Sequence, residues 1–150
     1  MSGTDDFSSI DGILRALYET ISGPAGTRDW ERERRLFLGG GHLVPTRPLP
    51  EGGAAADVFD VDGYIASRTP FFAANDFWEI EIGRRVERFG SIAQAWSAYE
   101  ARPSPDGPVI KRGVNSVQLF YDGTRWWIVS ILWDNEREGL RLQDSMNADR

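Results

Sequence analysis

The chain has no cysteine, one histidine and one lysine in 150 residues. Without cysteine there is no disulfide, no thiolate metal site and no sulfur nucleophile. One histidine, His42, cannot build a ligand cluster of familiar spacing, so no metal and no cofactor are expected. It is also the only side chain whose ordinary pKa lies near neutrality. Placed directly after Gly39-Gly40-Gly41, it reads either as a rim or surface residue or as a catalytic base. Positive charge is scarce: 17 basic residues, of which only Lys111 is lysine, stand against 23 acids, for a net charge of −6. Nothing concentrates cations for phosphate contacts, so neither nucleic acid nor an anionic membrane is an expected partner. The densest charged run, Arg28 to Arg35, interleaves acids with bases and reads as a solvated helix face. No apolar stretch reaches the length of a membrane span, and Met1 to Asp6 is polar and acidic rather than signal-like. A cytoplasmic protein is expected. Motifs are missing too: there is no Gly-x-Ser-x-Gly elbow and no His-Glu-x-x-His, and the glycine triplet follows a helix instead of opening one, so it is no phosphate loop.

What the chain has in quantity is large apolar residues near its end. The run GVNSVQLFYDGTRWWIVSILWDNE, Gly113 to Glu136, reads as two β-strands joined at Asp122-Gly123, a dipeptide suited to the positive φ of a tight hairpin turn. Strict alternation puts Trp127, Val129, Ile131 and Trp133 on one face of the second strand and Trp126, Ile128 and Leu132 on the other. A strand apolar on both faces must be covered on both, by helices, a second subunit or both. A two-residue turn pairs Asn115 with Ser130 and Gln118 with Trp127. A three-residue turn with a bulge moves Gln118 beside Trp126. The sequence leaves both registers open.

Upstream, Ser8-Ser9-Ile10-Asp11 resembles a capping-box start, and Ile10, Ile13, Leu14, Leu17 and Ile21 follow at helical spacing until Gly23-Pro24. Asp29 caps a short second helix through Leu36, and His42-Leu43-Val44 is strand-like. The stretch from Arg47 to Ala56 is rich in Pro, Gly and Ala and reads as a loop. Asp60 or Asp62 caps a third helix running toward Phe71-Phe72. From Phe77 the period changes to two, with Trp78, Ile80, Ile82 and Val86 alternating with Glu79, Glu81, Arg85 and Glu87. Gly90 turns the chain into a further strand, and Ala101 to Gly107 is a second loop. Helices followed by strands mean an α+β fold. No repeat or linker divides the chain, so one domain over 1–150 is expected, with a core of about 8–136 and a C-terminal tail over 137–150.

Three pieces of sequence are the most distinctive: ISGPAG (Ile21–Gly26) with RDW (Arg28–Trp30), FWEIEIGRRVERFGSIAQAWSAYEAR (Phe77–Arg102), and RGVNSVQLFYDGTRWWIVSILWDNE (Arg112–Glu136). In these the chain resembles the nuclear transport factor 2-like superfamily, in its SnoaL-like branch of small bacterial proteins, over Ile10 to Glu136. The resemblance implies a cone: a strongly curved antiparallel sheet wrapped against three helices from the N-terminal half, with a pocket on the concave side. It also implies a homodimer paired through the outer face of the sheet. The same cone hosts isomerases, dehydratases, epoxide hydrolases, cyclases and proteins without chemistry. Its enzymes work by general acid–base catalysis, with a few polar groups in an apolar cavity that shifts carboxylate pKa values.

The candidate site residues follow from which polar groups could face that pocket. Glu79 and Glu81 share one strand face: turned inward they could act as base and acid, turned outward they form a solvated face balanced by Arg85. The Phe-x-Glu start of this strand recurs in the resembled family, which favours Glu79 as catalytic base. Gln94, Asn115 and Gln118 are candidate orienting groups. Relatives often carry histidine in place of Gln94, and glutamine takes no proton at neutral pH. Asn115 and Ser130 are either ligand contacts or a satisfied pair near a sheet end. Tyr64 is a candidate donor, and Tyr64, Trp96 and the other aromatics are either core or a ligand platform. The expected function is a cofactor-independent lyase, isomerase or cyclase acting on a small hydrophobic metabolite. The alternative is a binding or dimerisation module of the same fold. An open pocket of roughly 300 Å³ or more would mark a ligand site.

Overall fold

Three capping side chains set the helices. Ser9 accepts a hydrogen bond from the Gly12 amide at 2.9 Å and opens α1 (Ile10–Ile21). Asp29 accepts from the Arg32 amide at 3.0 Å and opens α2 (Trp30–Leu36). The choice between Asp60 and Asp62 falls to Asp60, which accepts from the Gly63 amide at 2.7 Å and opens α3 (Val61–Ala74). These bonds satisfy amides that the first turn of a helix leaves without partners. The apolar stripe of α1 faces inward, with Ile13 and Leu14 fully buried. Each such burial contributes roughly 1.5–3 kcal/mol.

The computed structural model describes residues 5–142; the first four residues and most of the expected tail, 143–150, lie outside the described residues. Seven strands form one curved, open sheet: β1 (Phe37–Pro48), β2 (Ala54–Ala56), β3 (Phe59–Asp60), β4 (Trp78–Phe89), β5 (Ile92–Arg102), β6 (Lys111–Tyr121) and β7 (Trp126–Asn135). The order is β2-β1-β7-β6-β5-β4, with β3 also paired to β1. Every pairing is antiparallel except β1 with β7, which is parallel. The α+β cone expected from the sequence is the fold observed. Leu14 and Leu17 from α1, Leu36 from α2, Tyr64 and Ile65 from α3, and Val117, Ile128 and Ile131 from the sheet share one core.

Two local expectations are corrected. β1 is much longer than His42–Val44: it starts directly after α2 and runs through the three glycines. Gly40 has φ +85, and the pairing with β7 shifts between Phe37 and His42. The glycines are therefore an irregularity inside a strand, where a left-handed residue is absorbed without a break. The segment read as a loop after Arg47 likewise includes β2, which returns to pair with the end of β1.

Neither expected hairpin register occurs. The first pair is Tyr121 with Trp126, so four residues make the turn, and Asp122 Oδ1 accepts from the amides of Thr124 (2.8 Å) and Arg125 (2.9 Å). Farther along, Leu119 pairs with Ile128 but Gln118 pairs with Ser130, so Val129 bulges from the ladder. A bulge inverts the alternation beyond it. Trp126, Ile128 and Ile131 accordingly lie together in the core with Trp133 packed against it, while Leu132 is exposed on the opposite face.

Candidate functional site

Residues paired across an antiparallel sheet share a face, so the register assembles the site directly. On the helix-covered face, one row runs Glu79 (β4), Ala101 (β5), Lys111 (β6), and the next-but-one runs Ser97, Asn115, Trp133. Ala101 is fully buried and small, which leaves space between Glu79 and Lys111. Helix α3 lays Tyr64, Arg68, Phe71 and Phe72 over these rows, α2 contributes Glu33, and α1 contributes Leu17 and Ile21. Together with Leu43, Phe77 and Ile131 they enclose a cavity of about 150 Å³. This is half the volume expected of a ligand pocket. Dry cavities of about this size admit a benzene-sized ring, so the space suits a small guest.

Two carboxyl groups face this cavity in an unusual electrostatic setting. Glu33 is 1 % exposed, and burial pushes its pKa from 4.5 up to about 7, opposed by a hydrogen bond from Thr20 Oγ1 at 2.7 Å. The Thr20 hydroxyl also lies 3.1 Å from the Leu17 carbonyl. It has one proton for two acceptors. When that proton goes to Leu17, Glu33 must be protonated and donate to Thr20. Glu79 is half-buried, and burial likewise raises its pKa to about 7; Lys111 opposes the rise and the charge on Glu33 adds to it. Burial raises the pKa of Tyr64 far above its usual range, so its hydroxyl stays a neutral donor.

Asn115 is held by a chain of hydrogen bonds that ends in charge. Its Nδ2 donates to the Tyr18 hydroxyl (3.0 Å), which lies 2.6 Å from Ser97 Oγ, which donates to Glu81 Oε2 (2.5 Å). Glu81 is paired with Arg84 at 2.7 Å, and Arg84 also reaches Asp11. An ionised Glu81 only accepts, so Ser97 must donate to it, Tyr18 must donate to Ser97, and Tyr18 is left to accept from Asn115. The polarity of the chain fixes which way round the Asn115 amide sits.

Of the candidates read from sequence, Glu79, Tyr64 and Asn115 line this cavity. Gln94, Trp96, Gln118 and Ser130 do not: they lie on the opposite, outer face, in the rows Gln94–Gln118–Ser130 and Trp96–Ser116–Leu132. Gln118 accepts from Ser130 Oγ at 3.1 Å, Gln94 donates to Glu87 at 3.1 Å, and Trp96 is 44 % exposed. Period two decides the faces: with Asn115 inward, Gln118 is outward, and the Val129 bulge keeps Ser130 opposite it. His42 is exposed on β1. Glu81 faces inward as well, though its work is in the hydrogen-bonded chain. Reading the sequence alone misses Glu33, which sits in a run that looks solvated. The available signal is helical spacing: Trp30, Glu33 and Leu36 recur every three residues, so one acid of α2 shares its apolar stripe. Arg68 and Lys111 are missed too, because nothing local marks either as facing a cavity. Among the described residues no three His, Asp or Glu side chains converge as a metal site would need, and no helix is long and apolar enough to cross a membrane.

No family model matches the chain, and no curated protein matches it. Solved structures do. A nuclear transport factor 2-like protein of unknown function from Silicibacter pomeroyi is 18 % identical, with 85 % of this chain and 92 % of that one covered and a TM-score of 0.57. A protein of unknown function with a cystatin-like fold from Nostoc punctiforme is 11 % identical over 89 % of this chain and 92 % of its own, with a TM-score of 0.66. A candidate dehydratase of the nuclear transport factor 2-like family from Streptomyces avermitilis is 17 % identical over 82 % of this chain and 90 % of its own, with a TM-score of 0.58. At these identities the likeness speaks for architecture alone, and on that ground the chain has a cystatin-like fold, one it shares with structures described as nuclear transport factor 2-like.

Proposed function

We propose that the protein is a cofactor-independent acid–base enzyme, a lyase or isomerase, acting on a small molecule in the cavity between the sheet and α3. One observation carries this reading: two carboxyl groups, Glu33 and Glu79, face one aromatic-lined cavity, where burial raises both pKa values to about 7. A pair poised there can hold one proton and lack the other at the same pH. Lys111 favours the charged form of Glu79, which makes Glu79 the base. Glu33, sealed from water beside Thr20, is the acid. In an elimination, Glu79 takes a proton from the carbon next to a carbonyl, the electron pair of that C–H bond becomes the new C=C bond, and the C–O bond to the leaving hydroxyl breaks as Glu33 donates its proton. Water leaves. In an isomerisation, the same proton shift ends on carbon. The neutral Tyr64 hydroxyl is the donor for negative charge developing on the carbonyl oxygen. The candidate dehydratase among the similar structures fits this chemistry.

The small cavity favours a second reading, in which the same groups bind a compound without turning it over. Carbon-13 NMR of the glutamate side chains tests the first reading. Two carboxyls titrating near pH 7, both lost in the Glu33→Gln/Glu79→Gln double variant, are expected; titration of every glutamate near 4.5 sinks it. If the protein only binds, Glu79→Gln leaves a guest's affinity intact.

The protein also acts as a homodimer in this proposal. Support comes from the outer face, where Ile92 is 61 % and Leu132 is 47 % exposed beside Trp96.

A further inference from the structure

The cavity borders a shallow depression of about 410 Å³ on the protein surface, and three residues line both: Arg68, Lys111 and Trp133. Those three therefore stand at the mouth. Glu33 and Glu79 line the cavity and not the depression. Among the described residues eight arginines hold ion pairs, Arg32, Arg34, Arg84, Arg102 and Arg112 among them. Arg68 and Lys111 are not so held: like several other arginines of the chain, neither has a carboxylate within 4.0 Å among the described residues, although Arg68 lies over the Tyr64 ring at 5.6 Å. Two cations from different elements, without acid partners, flank the entrance to an aromatic cavity.

We infer that the cavity takes a small carboxylic acid, with its carboxylate held at the mouth by Arg68 and Lys111 and its ring or short chain inside. This rests on the acid–base reading above and adds the class of substrate: an oxo or hydroxy acid of about one ring in size. A guanidinium and an ammonium offer directional donors to both carboxylate oxygens, and the aromatic wall strengthens them by excluding water. Anchoring the anion at the mouth also keeps it away from Glu33, which bears no charge while it serves as the acid. Lys111 has a rival duty, that of tuning Glu79 alone. Arg68 separates the two roles, because it does not act on Glu79.

The test compares benzoate with its neutral near-isostere benzamide, by calorimetry and by chemical-shift changes of the Trp133 indole at pH 7. Benzoate should bind about tenfold more tightly, as expected for one or two charge-assisted hydrogen bonds. Arg68→Gln and Lys111→Gln should each erase most of that preference while leaving benzamide unchanged. Should Arg68→Gln fail to fold, the exposed Lys111→Gln together with loss of the preference in 0.5 M salt, about 0.5 M being enough to screen such pairs, decides the same question. Equal or tighter binding of benzamide overturns the carboxylate anchor and leaves the acid–base cavity standing. If neither compound moves the Trp133 signal, the cavity is not a ligand site and both readings fall.

Discussion

A single carboxyl, that of Glu33, shows how burial converts into pH dependence. Its rise from 4.5 to about 7 corresponds to about 3 kcal/mol between the protonated and ionised states. The folded protein holds this proton more tightly than the unfolded chain. The stabilising contribution is therefore complete below pH 4.5 and is lost as pH climbs through 7. Glu33→Gln keeps the shape and removes the ionisation. The variant should match the parent within about 1 kcal/mol at pH 4.5 and exceed it by roughly 1–3 kcal/mol at pH 8, measured by urea unfolding at both pH values. A variant less stable at pH 8 would show that the carboxylate is ionised at little cost. If Glu33 and Glu79 are acid and base, the same pair gives a bell-shaped rate profile centred near pH 7. Alternation put Glu79 with Glu81 on one strand face, opposite Trp78 and Ile80, but left open whether that face turns inward; only the family resemblance favoured Glu79, and the register puts it on the cavity. Glu33 was hidden because four charged neighbours, Glu31, Arg32, Arg34 and Arg35, made α2 look wholly solvated.

At the scale of elements, α2 is the least self-sufficient part of the site. Seven residues are too few for a helix to persist on its own in water, so its cap and its packing hold it. Asp29→Ala removes the acceptor for the Arg32 amide and should cost about 1 kcal/mol. The larger consequence is positional: a frayed first turn lets water reach Glu33, and its titration should move back toward 4.5. The check is the Glu33 carbon-13 titration in Asp29→Ala against that in Asp29→Asn, which keeps the cap. The helix start at Asp29 was readable, and that of α3 could be narrowed to Asp60 or Asp62, because capping is local chemistry. The hairpin was not. Asp122-Gly123 suggested a tight turn, but Asp122 instead uses its side chain to cap a four-residue loop, and the bulge at Val129 depends on packing against β6 that no short window reveals. That one irregularity decides why Asn115 lines the cavity opposite Trp133 while Gln118 and Ser130 pair outside.

For the whole molecule, the sheet has one face under helices, and among the described residues no helix covers the other. That outer face carries Trp96 and Leu132 in a single row across β5, β6 and β7, with Leu140 and Leu142 bordering the groove beside them. If two such faces pair, Trp96→Glu should split the dimer without disturbing the cavity, lowering the mass seen by sedimentation to that of one chain at micromolar concentration. A parent protein that already sediments as a monomer rules the pairing out. The apolar character of both faces of β7 is plain from its residues alone and calls for cover on both sides, while the cone itself is what the family resemblance implied.

The parallel join between β1 and β7 has a temporal side. Phe37 lies against Ile128 and Val44 against Leu132, so β1, which finds β2 and β3 on one edge soon after it is made, must wait for β7 on the other. On the ribosome, the helices and β1 emerge with no partner for their inner edge, and the loop that must close spans most of the chain. The chamber between Glu33 and Glu79 thus comes into being only once β7 has emerged, and a nascent chain stopped short of Asn135 has nowhere to hold a guest.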